Sequence, residues 1–315
     1  MATLLVQRLL SGLVTLWAVS VLVFAGTEIL PGDIVSATLG QSATPEVLAA
    51  MREELGLGRP AAVRYFEWMS GFVQGDLGTS LALNRPVAEL VGERVWNTFL
   101  LTALTALFAV PLSIGLGLLA VAFPRGFVDN TISLSSLIAI SLPEFFTGAL
   151  LVVVFAVNLG WFPAMSYVPE TASWGTRLHA LVLPTVTLTL ALMAHAIRMT
   201  RATVLDVMQS AYVEMAVLKG VSKGRIILRH ALPNAFGPIA NVIALSLGYL
   251  VTSVVVVEAV FAYPGLGRQM VDAVATRDPP LVQAIAMIFC IVYVVVNLLA
   301  DLVALAANPR IRMPK

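Results

Sequence analysis

A chain of 315 residues that is 59% hydrophobic and only 12% charged is no ordinary soluble globule, since soluble domains carry roughly 25% charged residues. The net charge of +1 leaves no overall basic field for nucleic acid, so any charge argument must come from where the basic residues sit. The single cysteine, Cys290, lies inside an apolar run, which excludes an intrachain disulfide framework or a multi-cysteine metal site.

Residues 1–30 hold the first candidate membrane span, charge-free over 9–27. That run exceeds the roughly 7–15 apolar residues of a cleaved secretory signal and predicts a retained anchor helix. Segment 31–94 changes character, with eight acids, five bases and several turn signals, and reads as a small folded cap. Within it Thr44-Pro45-Glu46 predicts a helix start ending near Gly56, and a second short helix is expected over Ala61–Phe72. The cap either only connects two spans, or it receives a soluble partner or closes over a pore.

Five further spans are expected in 95–315, at about 97–123, 132–157, 178–198, 234–258 and 281–302, each long enough for the roughly 20 apolar residues that cross a bilayer. The 132–157 span is interrupted by one acid, Glu144. Six spans place both termini on one side. With that side cytoplasmic, 11 lysines and arginines face inward and 8 outward, and five of those 8 lie in segment 31–94. Long loops translocate largely regardless of charge, so the balance predicts cytoplasmic termini.

The largest expected inner loop runs from 199 to 233. Between Ala202 and Leu218, apolar residues recur at helical spacing and predict one amphipathic helix on the membrane surface. Gly220 stops it, Ser222 can cap a following helix, and Pro233 marks re-entry into the membrane. The loop reads EMAVLKGVSKGRIILRHALP from Glu214 to Pro233. This string resembles the coupling motif of ABC-importer permeases: Glu-Ala-Ala, three residues, Gly, nine residues, Ile, any residue, Leu-Pro. Glu214, Ala216, Gly220, Leu232 and Pro233 match, while Met215 and His230 replace the motif's alanine and isoleucine.

The likeness covers nearly the whole chain and resembles the first permease type of the dipeptide, oligopeptide and nickel importer group. It is carried by LPGD at Leu30–Asp33, GLGRP at Gly56–Pro60, GDLGTS at Gly75–Ser80 and SLPEFFTG at Ser141–Gly148. VVVEAVFAYPGLG at Val255–Gly267, RDPPLVQA at Arg277–Ala284 and NPRIR at Asn308–Arg312 complete it. Pro279 or Pro280 stands where the group has an aromatic residue, and Asn308 where it has an aspartate, which leaves the geometry of the last outer loop open.

The resemblance implies an all-α polytopic protein with six transmembrane helices and the type I ABC importer permease fold, in the bacterial inner membrane. It implies that the chain forms half of a pathway for peptides or related small solutes, beside a second permease, two ATP-binding subunits and a periplasmic or lipid-anchored binding protein. In it the helix before Gly220 docks in a groove of the ATPase, which assigns Glu214, Met215, Ala216, Lys219, Gly220, Leu232 and Pro233 to coupling. ATP and magnesium then belong to the partner subunits. Consistent with that, no Gly-x4-Gly-Lys-Ser/Thr phosphate loop occurs, the nearest cluster being Gly220 to Gly224 without the spacing.

Glu144 follows Pro143 near the middle of a span, where an unpaired carboxylate is costly and must face protein or water. With Phe145 and Glu258 it is a candidate for the substrate pathway, recognising a cationic part of the solute; the alternative is a protonated or paired carboxyl in helix packing. Glu258 and Asp301 lie near span ends, where structural roles suffice. His195 and His179 fall at opposite faces of the membrane and cannot share one ion, so no metal site is expected. A secondary transporter or channel is the rival reading; it lacks the inverted repeats with broken helices at matched positions that such folds often carry and would not need the coupling loop. A membrane enzyme would need a nucleophile with its base or a ligand cluster, and neither is found.

Overall fold

The computed structural model describes residues 2–29, 58–169 and 171–307. The expectations for Leu30–Asp33, for Thr44–Gly56 and for Asn308–Arg312 lie outside the described residues. Helices account for the named elements throughout: α1 (Ala2–Ile29), α2 (Ala61–Gln74), α3 (Val87–Ala122), α4 (Phe127–Ser141), α5 (Glu144–Leu151), α6 (Trp174–Met208), α7 (Ala211–Leu218), α8 (Lys223–Ile226), α9 (Leu232–Val260), α10 (Leu266–Ala275) and α11 (Pro279–Ala307). Two π-helical turns, π1 (Val152–Asn158) and π2 (Ile227–Ala231), follow α5 and precede α9. Among the described residues five helical spans are long and apolar enough to cross a membrane, and α4 with α5–π1 forms a sixth that is bent by 106°.

The bent span departs from the straight helix expected over 132–157, and Pro143 is the reason. A proline disfavours α geometry in the residue before it, and Leu142 is extended at φ −94°, ψ 128°. Pro143 then starts the next helix, its carbonyl accepting the Phe146 and Thr147 amides at 3.0 Å each. Other boundaries moved as well. The second span begins at Val87, ten residues before the expected start and inside the segment assigned to the cap. The fourth continues to Met208, so the single surface helix expected over Ala202–Leu218 is instead the end of α6, a break at Gln209-Ser210, and a separate α7. Helix α10, in the last expected outer loop, had no counterpart in the sequence reading. Helix α2 extends the expected Ala61–Phe72 by one half-turn, to Gln74.

The chain divides into two compact units, with α3 and α11 contributing to both. One comprises 99–263 with 295–307 of the described residues, and is built on α6, which packs against α4, α5 and α9. Its core at one end joins Val121, Val204, Ile227, Ala231, Ala235 and Ile239. The other comprises, of the described residues, 2–29 and 58–98 with 264–294. There α10 and the first part of α11 pack on the start of α3 through Val87, Leu90, Leu266, Ala273, Leu281 and Ile285, and Tyr65 of α2 meets Ser20 of α1 at 2.8 Å. Many large apolar side chains of α1, among them Leu13, Val14, Trp17 and Leu22, are exposed, as a lipid-facing helix requires.

In this second unit Asp278 makes the joint that the sequence left open. Its buried carboxylate accepts the Ser80 hydroxyl and, more distantly, the Leu81 and Ala82 amides at 3.3 and 3.4 Å. Its carbonyl accepts the Val282 amide at 3.0 Å as α11 begins. Pro279 and Pro280 fall in the first turn of that helix, where the missing N–H groups would have had no intrahelical partner. The departure from the group's aromatic residue is therefore compatible with a regular helix start.

Pro184 lies inside α6 and removes the amide that would have bonded the Ala180 carbonyl. The Ser166 hydroxyl donates to that carbonyl at 2.7 Å, and the Ser166 amide donates to the Phe261 carbonyl at 2.7 Å, just past α9. One buried serine thus satisfies two freed acceptors. Ser166→Ala should cost about 1–3 kcal/mol, the penalty for a buried polar group left unpaired, lowering the thermal midpoint of the detergent-purified protein, whereas Ser135→Ala at an exposed position should stay within about 0.5 kcal/mol.

Candidate functional site

The segment after α6 is a compact helical elbow. Ser210 precedes α7 in extended conformation, and its carbonyl accepts the Val213 and Glu214 amides at 3.0 and 3.1 Å. Its hydroxyl does not cap the helix; it donates back to the Val207 carbonyl at 2.6 Å and closes the end of α6. This competition between side chain and backbone bonds explains why one amphipathic period became two helices.

The end of α7 is a Schellman turn. The Gly220 amide bonds the Val217 carbonyl at 2.9 Å and the Val221 amide bonds the Ala216 carbonyl at 3.1 Å, with Gly220 left-handed at φ 74°. A Cβ at Gly220 would meet nothing within 4 Å, so glycine is required by the backbone angle and not by crowding. Val221 then packs with Val213, Ala216 and Ile226, which fixes α8 against α7. Ser222 precedes α8, and the Lys223 ammonium donates to the Ala122 carbonyl at 2.7 Å, at the negative end of α3.

These contacts sort the residues predicted for coupling. Val213 and Ala216 face inward and are buried, so Ala216 serves the elbow's own packing. Glu214, Met215 and Lys219 are exposed together with Tyr212, Val217 and Leu218, the last of them 73% exposed. Helix α7 therefore presents an apolar surface edged by Glu214 and Lys219, on an element outside every candidate span. Leu232 and Pro233 begin α9 behind π2, and His230 lies within π2, its carbonyl accepting the Asn234 side-chain amide at 2.8 Å. Tyr212 was missed in the sequence because it falls before the motif; its place on the exposed face becomes visible only once Ser210 is known to start the helix.

An ion pair ties α6 to α4. Arg201 binds Asp129 of α4 with two hydrogen bonds, Nε to Oδ1 at 2.6 Å and Nη2 to Oδ2 at 2.7 Å, and Asp129 also accepts the Arg125 amide at 2.9 Å. The Asp129 side chain is 3% exposed and that of Arg201 30%. Sequence reasoning counted Arg201 only as an inward positive charge, because nothing local to 201 signals a partner 72 residues earlier.

Glu144 and Phe145 line a cavity of about 680 Å³ in the same unit. The Ser253 hydroxyl donates to Glu144 Oε1 at 2.7 Å, and the Tyr249 phenol interacts with both groups. Glu258 is elsewhere: it is fully buried and is not among the residues lining this cavity. Its carbonyl accepts the Tyr263 amide at 2.9 Å, and burial, then the charge of Glu258, pushes the Tyr263 phenol well above its ordinary value. His195 lines the cavity of Glu144, while His179 meets the Trp161 carbonyl at 3.0 Å.

Residues 94–313 match the family described as binding-protein-dependent transport system inner membrane component, and residues 1–102 match that family's N-terminal component. The chain belongs to this family. It is a multi-pass protein of the inner membrane and a transport component. It is 37% identical over 307 residues to glutathione transport system permease proteins of Pectobacterium atrosepticum and Escherichia coli, covering 98% of both chains. It is 35% identical over 312 residues to a probable peptide ABC transporter permease of Sinorhizobium fredii, covering 99% of this chain and all of the relative. Among solved structures it is similar to a chain of the inward-facing MetNI methionine ABC transporter, with a TM-score of 0.54 at 20% identity over 70% of this chain and 96% of that one. The fold is thus the all-α, six-span type I importer permease fold.

Arg201→Ala should destabilise the transport component by about 3 kcal/mol, the cost of stranding the buried Asp129 carboxylate, and Asp129→Asn by less, because the Arg201 side chain is 30% exposed. The double variant should be little worse than the worse single variant, because the two share one interaction; thermal unfolding of all three in detergent measures this.

Proposed function

We propose that this transport component forms one half of the membrane pathway of an ATP-driven importer for peptides or related small solutes. Its α7 elbow is the contact through which a separate ATPase drives it. The observation that carries the proposal is the exposed apolar face of α7, held at a fixed angle by the Gly220 turn and lying outside the candidate spans. Such a surface in a region otherwise served by water marks a protein interaction site. Tyr212, Met215, Val217 and Leu218 would fill a groove on the ATPase, and Glu214 and Lys219 would orient the helix at its rim.

The partners are a second permease, two ATP-binding subunits that hold ATP and magnesium, and a periplasmic or lipid-anchored binding protein that delivers solute. The preponderance of inner lysines and arginines over the outer ones supports cytoplasmic termini and a cytoplasmic elbow. Movement of the ATPases pulls α7, and the packed chain of Val213, Ala216 and Ile226, continuing through Ile227 to α9, carries that displacement into a spanning helix. Peptide-type cargo is supported by the relatives named above, which match along nearly the full length of this chain.

Gly220→Pro, which cannot adopt φ 74°, and Glu214→Lys should leave membrane insertion intact. Both should lower ATP-dependent uptake by about tenfold or more in reconstituted complexes, the scale of a coupling free energy of roughly 1–3 kcal/mol. Wild-type uptake by both variants would refute the proposal, as would uptake by the wild-type complex that persists without ATP.

A further inference from the structure

The break between α4 and α5 opens the cavity of about 680 Å³, within the roughly 300–1,000 Å³ typical of small-ligand sites. Its polar groups converge from three directions. The last-turn carbonyls of α4, whose residues Ala139, Ile140 and Ser141 line the wall, have no intrahelical partner and form the negative end of that helix. Glu144 is the first residue of α5, beside the N–H groups that have no intrahelical partner at that helix start. Ser253 and Tyr249 of α9 add hydroxyl groups, Ser253 donating to Oε1 at 2.7 Å.

The lining holds no lysine or arginine, and its one imidazole, His195 of α6, is not hydrogen-bonded to Glu144. The partners of Glu144 among the described residues are the two hydroxyls of α9, and no lysine or arginine of those residues pairs with it. A carboxylate inside the membrane region without a counter-ion is costly unless one arrives. A primary ammonium fits: it is a compact charge with three donors, able to bond the remaining carboxylate oxygen and the freed α4 carbonyls together.

We infer that Glu144, in the cavity between α4, α5 and α9, is a transport subsite for the primary ammonium group of the solute, such as the amino terminus of a short peptide. The inference rests on the importer reading above. Tyr249, 59% exposed, and Phe145, 57% exposed, supply apolar faces for the part of the solute next to its charge. The α4–α5 break is what gives the ammonium carbonyl acceptors at this depth, since an unbroken helix would hold them in its own hydrogen bonds.

The test uses the full complex, with its second permease, ATPases and binding protein, in liposomes. It measures ATP-dependent uptake of alanyl-alanine and of its N-acetyl form at saturating binding protein. Glu144→Gln retains an acceptor for Ser253 and nearly the same volume, so a carboxyl that only packs helices would leave uptake unchanged. The subsite requires uptake of alanyl-alanine to fall by about tenfold, the worth of one charge-assisted hydrogen bond, with Glu144→Asp recovering part of it. The preference for alanyl-alanine over the N-acetyl form should shrink in Glu144→Gln; the binding protein's own preference is common to both complexes and cancels. Unchanged uptake or an unchanged preference overturns the subsite, as does a Glu144→Gln chain that no longer co-purifies with its partners, which would make the carboxylate an assembly group. Absence of ATP-dependent uptake of either probe by the wild-type complex would instead refute the importer reading, and the subsite with it.

Discussion

The structure depends on one constraint: within hydrocarbon every backbone N–H and C=O must find a partner inside the protein. Long helices meet it by default, and their interruptions are the places where tertiary contacts have to intervene. At Pro184 the freed Ala180 carbonyl is met by the Ser166 hydroxyl. That same residue's amide meets the Phe261 carbonyl, so a single loop serine binds α6 to the end of α9. At Leu142-Pro143 the span bends by 106°, and the residues on both sides of the break line a cavity.

This difference separates the carboxylates that brace the fold from the one proposed as a subsite. Sealed positions, such as the Ser80–Asp278 joint and the Asp129–Arg201 pair, hold loops to helices with buried, multiply bonded carboxylates. Glu144 is also a carboxylate in a helix first turn, yet it faces hydroxyls and a cavity in place of a guanidinium. Desolvation makes an unmatched charge expensive at such a place, which is why the environment of Glu144 is more informative than its presence in a span.

The elbow at α7–α8 follows the opposite logic. Helix α7 and the Gly220 turn lie outside the candidate spans, so exposed backbone there can be hydrated and the local motif decides the geometry. The Schellman turn at Gly220 is set by the sequence over six residues, Ala216 to Val221, and needs no distant partner. An exposed apolar face on so local a unit can be displaced as a rigid piece, with Ile226 and Ile227 connecting it to the packing around α9.

What the sequence determined by itself was whatever is governed by local chemistry and period: the membrane class, the six apolar runs, the coupling motif with its glycine turn, and the helix-starting role of prolines. Family membership was legible because the motif intervals from Glu214 to Pro233 are intact despite Met215 and His230. Tertiary structure alone decided that Arg201 finds Asp129. It also separated Glu144, in a cavity, from Glu258, fully buried. Hydropathy records how much apolar surface a segment has, not which of its polar groups another helix will satisfy. Those pairings join residues about 70 to 200 positions apart, as the Arg201–Asp129 and Ser80–Asp278 bonds do, and exist only once the helices have packed.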